Sequence, residues 1–175
     1  MKTFIFMTLS LDGFIARKDD EVPFIGDSEW KHYCEVARTA DALVVGRKTY
    51  DVMLEAGDLD DIGTDPYMAI LTQDPASKST ENPKHIYTSA PLEEVIQTLS
   101  EKGVETVMIG GGAQTNTAFL QAGCVDEVWV DICPHILGQG IPFIHDQLLE
   151  MNLTLIEKKP LGESGLSLRY ACNNK

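Results

Sequence analysis

Two glycine-bearing segments carry the residues whose types and spacing could do chemistry. The first is Ala42-Leu43-Val44-Val45-Gly46-Arg47-Lys48-Thr49 and the second is Thr106-Val107-Met108-Ile109-Gly110-Gly111-Gly112-Ala113-Gln114-Thr115. Each is an apolar, strand-like run that ends in glycine and then opens a helix. Such a turn leaves backbone N–H groups unpaired at the sheet edge, where they and the positive end of the helix dipole bind phosphate. Two such turns suit an extended ligand with more than one phosphate, such as a dinucleotide. Arg47 and Lys48 oppose the dipole at a helix start, so an anion is expected to offset them. Thr49 and Thr115 read as helix caps that also contact the ligand.

Other chemistries lack their residues. Gly110-Gly111-Gly112-Ala113-Gln114-Thr115 fails the G-x-G-x-x-G dinucleotide pattern, because Thr115 stands at the last small position. Gly46-Arg47-Lys48-Thr49 has an arginine and no glycine-rich loop before its lysine, which disfavours a P-loop. There is no G-x-S-x-G elbow and no zinc-deaminase pattern. Cys34, Cys124, Cys133 and Cys172 form no C-x-x-C pair, and the four histidines (His32, His85, His135, His145) show no metal-binding spacing. Neither a metal site nor a disulfide framework is expected.

The elements that must position these turns follow from periodicity. Thr3–Leu11 reads as a strand that turns at Asp12-Gly13, and Phe14–Ala16 as its continuation, followed by a charged loop over Arg17–Glu21. Trp30, Tyr33, Cys34 and Ala37 recur at helical spacing, with Asp27 or Ser28 as the cap. Strands are expected at Ala42–Val45, Tyr67–Leu71, His85–Tyr87, Thr106–Ile109 and Val125–Ile132. Helices are expected at Thr49–Glu55, after Ser89 with Pro91 in the first turn, and at Thr117–Ala122. Gly57–Pro66 and Asp74–Pro83 read as loops. Leu153–Lys159 and Leu166–Ala171 form an antiparallel hairpin. The alternation of strand and helix predicts an α/β fold with a mainly parallel sheet covered on both faces and antiparallel strands at its C-terminal edge. Ligands of such sheets bind beyond the C-terminal strand ends.

The chain has 175 residues and is 43 % hydrophobic, which predicts one domain over residues 1–175. Its net charge of −13 opposes binding to nucleic acid or anionic membranes. No apolar run approaches a membrane span, and Met1–Phe6 passes directly into a strand without a signal-peptide pattern. The cytoplasm is the expected compartment.

Four blocks in order give a family resemblance: Ser10-Leu11-Asp12-Gly13-Phe14-Ile15-Ala16, Gly46-Arg47-Lys48-Thr49-Tyr50, Ile109-Gly110-Gly111-Gly112, and Pro134-His135-Ile136-Leu137-Gly138-Gln139-Gly140-Ile141-Pro142-Phe143. The chain resembles the dihydrofolate reductase superfamily, in the branch related to the C-terminal reductase domain of the bifunctional riboflavin-biosynthesis enzyme. That resemblance implies a three-layer α/β/α fold, NADPH as cofactor with NADH as the alternative, and hydride transfer to a small heterocycle. It implies that Gly46, Arg47, Lys48 and Thr49 meet cofactor phosphate and the adenine ribose side. Gly110, Gly111, Gly112, Ala113, Gln114 and Thr115 would cradle the pyrophosphate. Leu71, Thr72 and Gln73 would line the adenosine 2′ region, and Ala16 would lie near the nicotinamide.

For the substrate end, three carboxylates are candidates: Asp12, Glu29 and Asp131. Asp12 could equally be only the turn residue before Gly13. A folate reductase needs an acid on its first helix, which brings Glu29 and Asp27 into view. Asp131 could orient a pyrimidinone or assist protonation, or be an ordinary strand residue. Arg17 and Lys18 are the candidate partners of a substrate phosphate. Relatives of this branch pair as homodimers, and an antiparallel edge that needs cover predicts one here, with Trp129 or the Leu153–Leu155 strand at the interface. Folate or other carbonyl and nitro reduction, or a silent nucleotide-binding role, are the competing readings.

Overall fold

The computed structural model describes residues 1–78, 81–145 and 149–173. In chain order the elements are β1 (Lys2–Ser10), β2 (Phe14–Ala16), α1 (Asp27–Ala37), β3 (Ala42–Gly46), α2 (Arg47–Ala56), α3 (Asp58–Ile62), β4 (Tyr67–Leu71), β5 (His85–Thr88), α4 (Leu92–Glu101), β6 (Thr106–Ile109), α5 (Ala113–Gln121), β7 (Glu127–Cys133), β8 (Ile141–Pro142), β9 (Leu153–Leu161) and β10 (Gly165–Cys172). Eight strands form one sheet in the order β5-β4-β3-β6-β1-β7-β10-β9. The pairs from β5 across to β7 are parallel, and β10 and β9 add antiparallel strands at the edge.

Strands β3, β4 and β6, and Phe4–Met7 within β1, are largely apolar because both faces of the sheet are covered there. Phe4, Phe6, Leu43, Val45 and Met108 point to the side of α1, α2 and α3, where they pack with Cys34, Tyr50, Met53 and Ile62. Ile5, Val44, Val107 and Ile109 point to the side of α4 and α5, where they meet Val95, Leu99, Phe119 and Leu120. The result is the three-layer arrangement that the alternation of elements predicts. Among the described residues no helix is long and apolar enough to cross a membrane.

Several expectations need correction. Phe14–Ala16 does not continue the first strand; the positive φ of 86° at Gly13 turns the chain away, and β2 pairs with β8 in a separate two-stranded sheet. The stretch Gly57–Pro66 is not all loop, since Asp58–Ile62 is helical, with Asp58, Asp60 and Asp61 favourably placed in its first turn. Gly26, and neither Asp27 nor Ser28, caps α1. Pro91, and not Ser89, occupies the cap position of α4. Helix α5 starts at Ala113, directly after the glycine run, and α2 at Arg47. Within the loop expected over Asp74–Pro83, Pro75–Ser77 is a short 3-10 turn, while Ser79 and Thr80 lie outside the described residues.

Candidate active site

The two glycine turns meet at the C-terminal ends of neighbouring strands β3 and β6. Gly46 N–H donates to the Gly111 carbonyl at 2.7 Å, and Gly110 N–H to the Val44 carbonyl at 3.0 Å. Gly46 is the N-cap of α2 and Gly112 that of α5, so both positive helix ends open at one place. The approach is tightest at Gly46 and Gly111. A Cβ on Gly46 would lie 3.0 Å from Thr115 Oγ1, and one on Gly112 would lie 3.4 Å from Thr49 Oγ1 and 3.9 Å from Ile15 Cδ1. Gly111 has a φ of +85°, and a Cβ there would lie 3.0 Å from Met7 Sδ. Thr49 from α2, Thr115 from α5 and Ile15 from β2 therefore border one cradle. Ala113 and Thr115 are buried. Ala16 is buried next to Ile15, and Gln114 is exposed on the first turn of α5.

The cations of this cradle already have partners. Arg47 is paired with Asp51 one turn along α2, and Lys48 Nζ reaches Asp20 Oδ2 at 2.7 Å. Asp20 lies in the loop after β2 and has a positive φ of 71°. The Lys48–Asp20 bridge thus draws that loop toward the start of α2. Leu71 ends β4, and Thr72 N–H continues the ladder by donating to the Thr88 carbonyl at 2.9 Å. Gln73 follows it, exposed, and the Asp74 carboxylate accepts the Ser77 N–H at 3.3 Å, capping the turn there.

Each candidate carboxylate has a distinct setting. Asp12 accepts hydrogen bonds from Ser10 Oγ (2.7 Å), Leu137 N–H (3.1 Å) and Gly138 N–H (2.7 Å). Desolvation works against its charge, but these donors outweigh it and hold the carboxyl at about 2. Asp12 therefore fastens the β1–β2 turn to the segment leading to β8. Phe143 N–H completes the fastening by donating to the Gly13 carbonyl at 3.0 Å. Glu29 turns back on its own helix, taking the Gly26 N–H at 3.2 Å and Ser28 Oγ–H at 2.9 Å.

Asp131 is fully buried on β7 and binds His32 Nδ1 at 2.7 Å, side chain to side chain. That hydrogen bond raises the His32 pKa more than burial lowers it. Next to this pair, burial pushes the Cys133 thiol up to about 12, so it remains a protonated core residue. His32 belongs to no sequence motif, being a histidine without metal-binding spacing. The available signal was its place on the α1 turn between Glu29 and Val36, both of which are buried.

Outside the cradle, Arg17, Lys18, Asp19, His135, Leu137 and Gln139 line an open cavity of about 310 Å³. Lys18 Nζ donates to Gln139 Oε1 across it at 3.1 Å. Among the described residues no cluster of His, Cys, Asp and Glu could hold a metal ion.

Comparison with known proteins finds relatives in sequence and in fold. The protein YwjB of Bacillus subtilis (strain 168) is 28 % identical over 172 residues, covering 97 % of each chain. A diaminohydroxyphosphoribosylaminopyrimidine deaminase/5-amino-6-(5-phosphoribosylamino)uracil reductase from Thermotoga maritima superimposes with a TM-score of 0.77 at 17 % identity, over 98 % of this chain and 56 % of that one. Dihydrofolate reductase from Enterococcus faecalis, complexed with NADP(H), superimposes with a TM-score of 0.68 at 15 % identity, over 99 % of this chain and 97 % of that one. Residues 2–165 match the RibD C-terminal domain, and the chain belongs to that family, with the architecture of the dihydrofolate reductase superfamily.

Proposed function

We propose that the protein is a cytoplasmic NADPH-dependent reductase that delivers hydride to a C=N or C=O bond of a small heterocycle, of the kind represented by 5-amino-6-(5-phosphoribosylamino)uracil. The observation that carries the reading is the convergence of the α2 and α5 N-termini, with Gly46 N–H bonded to the Gly111 carbonyl at 2.7 Å. A pyrophosphate suits this cradle because the unpaired N–H groups of two helix starts need an acceptor, and because at Gly46 a Cβ would crowd Thr115. When bound, the nicotinamide supplies the hydride.

The chain's own residues divide the remaining work. Gly46, Arg47, Thr49, Gly112 and Thr115 would hold the phosphates. Ile15 and Ala16 on β2 would wall the nicotinamide side and exclude water. Leu71, Thr72 and Gln73 would flank the adenosine, with Lys78 available to a 2′-phosphate. Arg17 and Lys18 would receive a substrate phosphate. The E. faecalis neighbour carries NADP(H) in the same fold, which supports a nicotinamide cofactor here.

Thermal shift with NADPH and with NADH tests binding, and NADPH oxidation at 340 nm with 5-amino-6-(5-phosphoribosylamino)uracil and with dihydrofolate tests turnover. The expected result is a larger shift with NADPH and oxidation with the pyrimidine. No shift with either cofactor would overturn the reading.

A further inference from the structure

The pair formed by His32 and Asp131 is not explained by stability. Asp131 has no exposed surface, yet among the described residues only one of its carboxylate oxygens has a partner; Oδ1 is buried without one. Thr8 Oγ1 on β1 is likewise buried with no partner among the described residues, and Thr8 is the register neighbour of Asp131 on the adjacent parallel strand. A buried, half-satisfied carboxylate costs stability compared with an apolar residue of similar volume. Its place on the sheet is also telling. Thr8 and Asp131 sit one alternation short of the last β1–β7 pair on this face, Ser10 with Cys133, at the sheet edge where both glycine turns lie.

A continuous line of rings connects the pair to the glycine cradle. Tyr33 Oη lies 3.3 Å from where a Cβ on Gly110 would be. The Tyr33 ring stacks on Phe6 at 5.6 Å, and Phe6 meets His32 edge-on at 5.7 Å. His32 thus borders the α1 side of the same strand ends. Its Nδ1 is occupied by Asp131, which leaves Nε2 as the free position of a side chain that is 28 % exposed.

We propose that His32 is the proton donor of the reduction, with Asp131 as its positioning residue; this rests on the reductase reading above. Reduction of a C=N bond takes a hydride at carbon, from NADPH, and a proton at nitrogen. The π pair moves to nitrogen as the hydride arrives, and that nitrogen takes the proton from His32 as the Nε2–H bond breaks. The imidazole becomes neutral and recovers its proton from solvent through its exposed edge. Asp131 keeps the Nδ1–H throughout, which fixes the ring and stabilises its charged form. The charges acting on His32 come from three elements. Asp131 on β7 and Glu35 on α1 favour the imidazolium, and Lys159 on β9 opposes it.

The test uses the whole protein, with 5-amino-6-(5-phosphoribosylamino)uracil and dihydrofolate as probes, and His32→Gln as the first variant. Glutamine keeps a hydrogen-bonding group at this half-exposed position, and thermal denaturation checks the fold. The proposal expects kcat to fall by about 100- to 1000-fold, with NADPH affinity unchanged. It also expects the loss to be greatest at low pH, where the parent is protonated. Asp131→Asn is the second variant. The His32 ring resonances should titrate at lower pH in it than in the parent, and the alkaline fall in kcat should move the same way while KM holds. Unchanged kcat in His32→Gln, or an unmoved His32 titration in Asp131→Asn, would overturn the role and leave the reductase reading intact. A parent that binds NADPH but reduces neither probe overturns the proton-donor role together with the substrate part of the reductase reading, and leaves nicotinamide binding standing. A parent that gives no thermal shift with NADPH or NADH overturns both.

Discussion

The Asp12 carboxylate accepts the backbone N–H of Gly138 at 2.7 Å across a sequence separation of 126 residues. Together with the Leu137 N–H and Ser10 Oγ bonds, this joins the β1–β2 turn to the segment that forms β8 and so covers the cradle from the Ile15 side. Asp12→Ala should therefore free the Leu137 and Gly138 amides, and their hydrogen exchange should accelerate while amides of β3 and β6 hold. The pH dependence has a definite sign. A carboxyl held down at about 2 contributes its stabilisation fully above its unfolded value of about 4, and loses it as pH falls toward about 2. Exchange at these two amides, corrected for intrinsic rates, should rise across that window in the parent and not in the variant. Equal protection in both proteins would remove Asp12 from this fastening role.

To meet cofactor phosphate, as proposed, Arg47 would leave Asp51 and Lys48 would leave Asp20. Arg47→Ala should weaken NADPH binding by about 1.5–3 kcal/mol, the scale of a charge-assisted hydrogen bond. Losing its half-exposed pair with Asp51 should cost the fold only about 0.3–0.5 kcal/mol. Asp20→Asn should act in the opposite direction. Asparagine tolerates the positive φ of 71° at this position, and Lys48 is released toward the phosphate. Calorimetric titration should show tighter NADPH binding, most clearly at low salt. Weaker binding in Asp20→Asn would mean that the bridge assembles the site and does not compete with it.

Much of this architecture was legible because the central strands are unbroken apolar runs, and Val44, Val45, Ile109 and Ile70 are all fully buried. Strand β2 was legible as extended chain but not as the partner of β8, and β8 was not legible at all, since two residues carry no periodicity. Helix α3, Asp58-Leu59-Asp60-Asp61-Ile62, hid for a related reason. It presents one buried side chain, Ile62, and its acidic first turn looks like loop composition. The glycine cradle was readable as two local turns, but their hydrogen bond to each other was not. The His32–Asp131 contact spans 99 residues and depends on how α1 lies across β1 and β7, which no local pattern encodes.

The glycine run separates two effects that the sequence merges. Gly111 has a φ of +85° and Met7 Sδ 3.0 Å from its hypothetical Cβ, so Gly111→Val should lower stability by about 1–3 kcal/mol in addition to any loss of cofactor. Gly112→Ala is the cleaner probe. Its φ is −77°, and the added methyl would meet only Thr49 Oγ1 and Ile15 Cδ1, at 3.4 and 3.9 Å. It should fold with nearly unchanged Tm and bind NADPH at least tenfold more weakly, about 1.4 kcal/mol or more, because the methyl projects into the phosphate cradle. Unchanged affinity in Gly112→Ala would place the pyrophosphate elsewhere.

We propose that the β9 edge pairs two copies of the chain. Strand β9 is the last of the sheet and hydrogen-bonds only β10 among the described residues. Leu153, Leu155 and Ile156 along it are 39 %, 49 % and 48 % exposed, an apolar row beside unpaired backbone that a monomer leaves open to unwanted association. Trp129, the other residue expected at an interface, is engaged within its own chain. Its ring stacks on Phe4 at 4.2 Å, and the Arg169 guanidinium lies over it at 4.0 Å. The proposal therefore assigns the interface to β9, and expects Trp129→Glu to destabilise the fold through the lost Phe4 and Arg169 contacts. Light scattering coupled to size exclusion should give the parent twice the 19.3 kDa chain mass. Ile156→Glu should give a single chain that still binds NADPH, because the glycine turns lie on β3 and β6, four or more strands away in the sheet. A parent that runs at 19.3 kDa across micromolar concentrations would rule the dimer out.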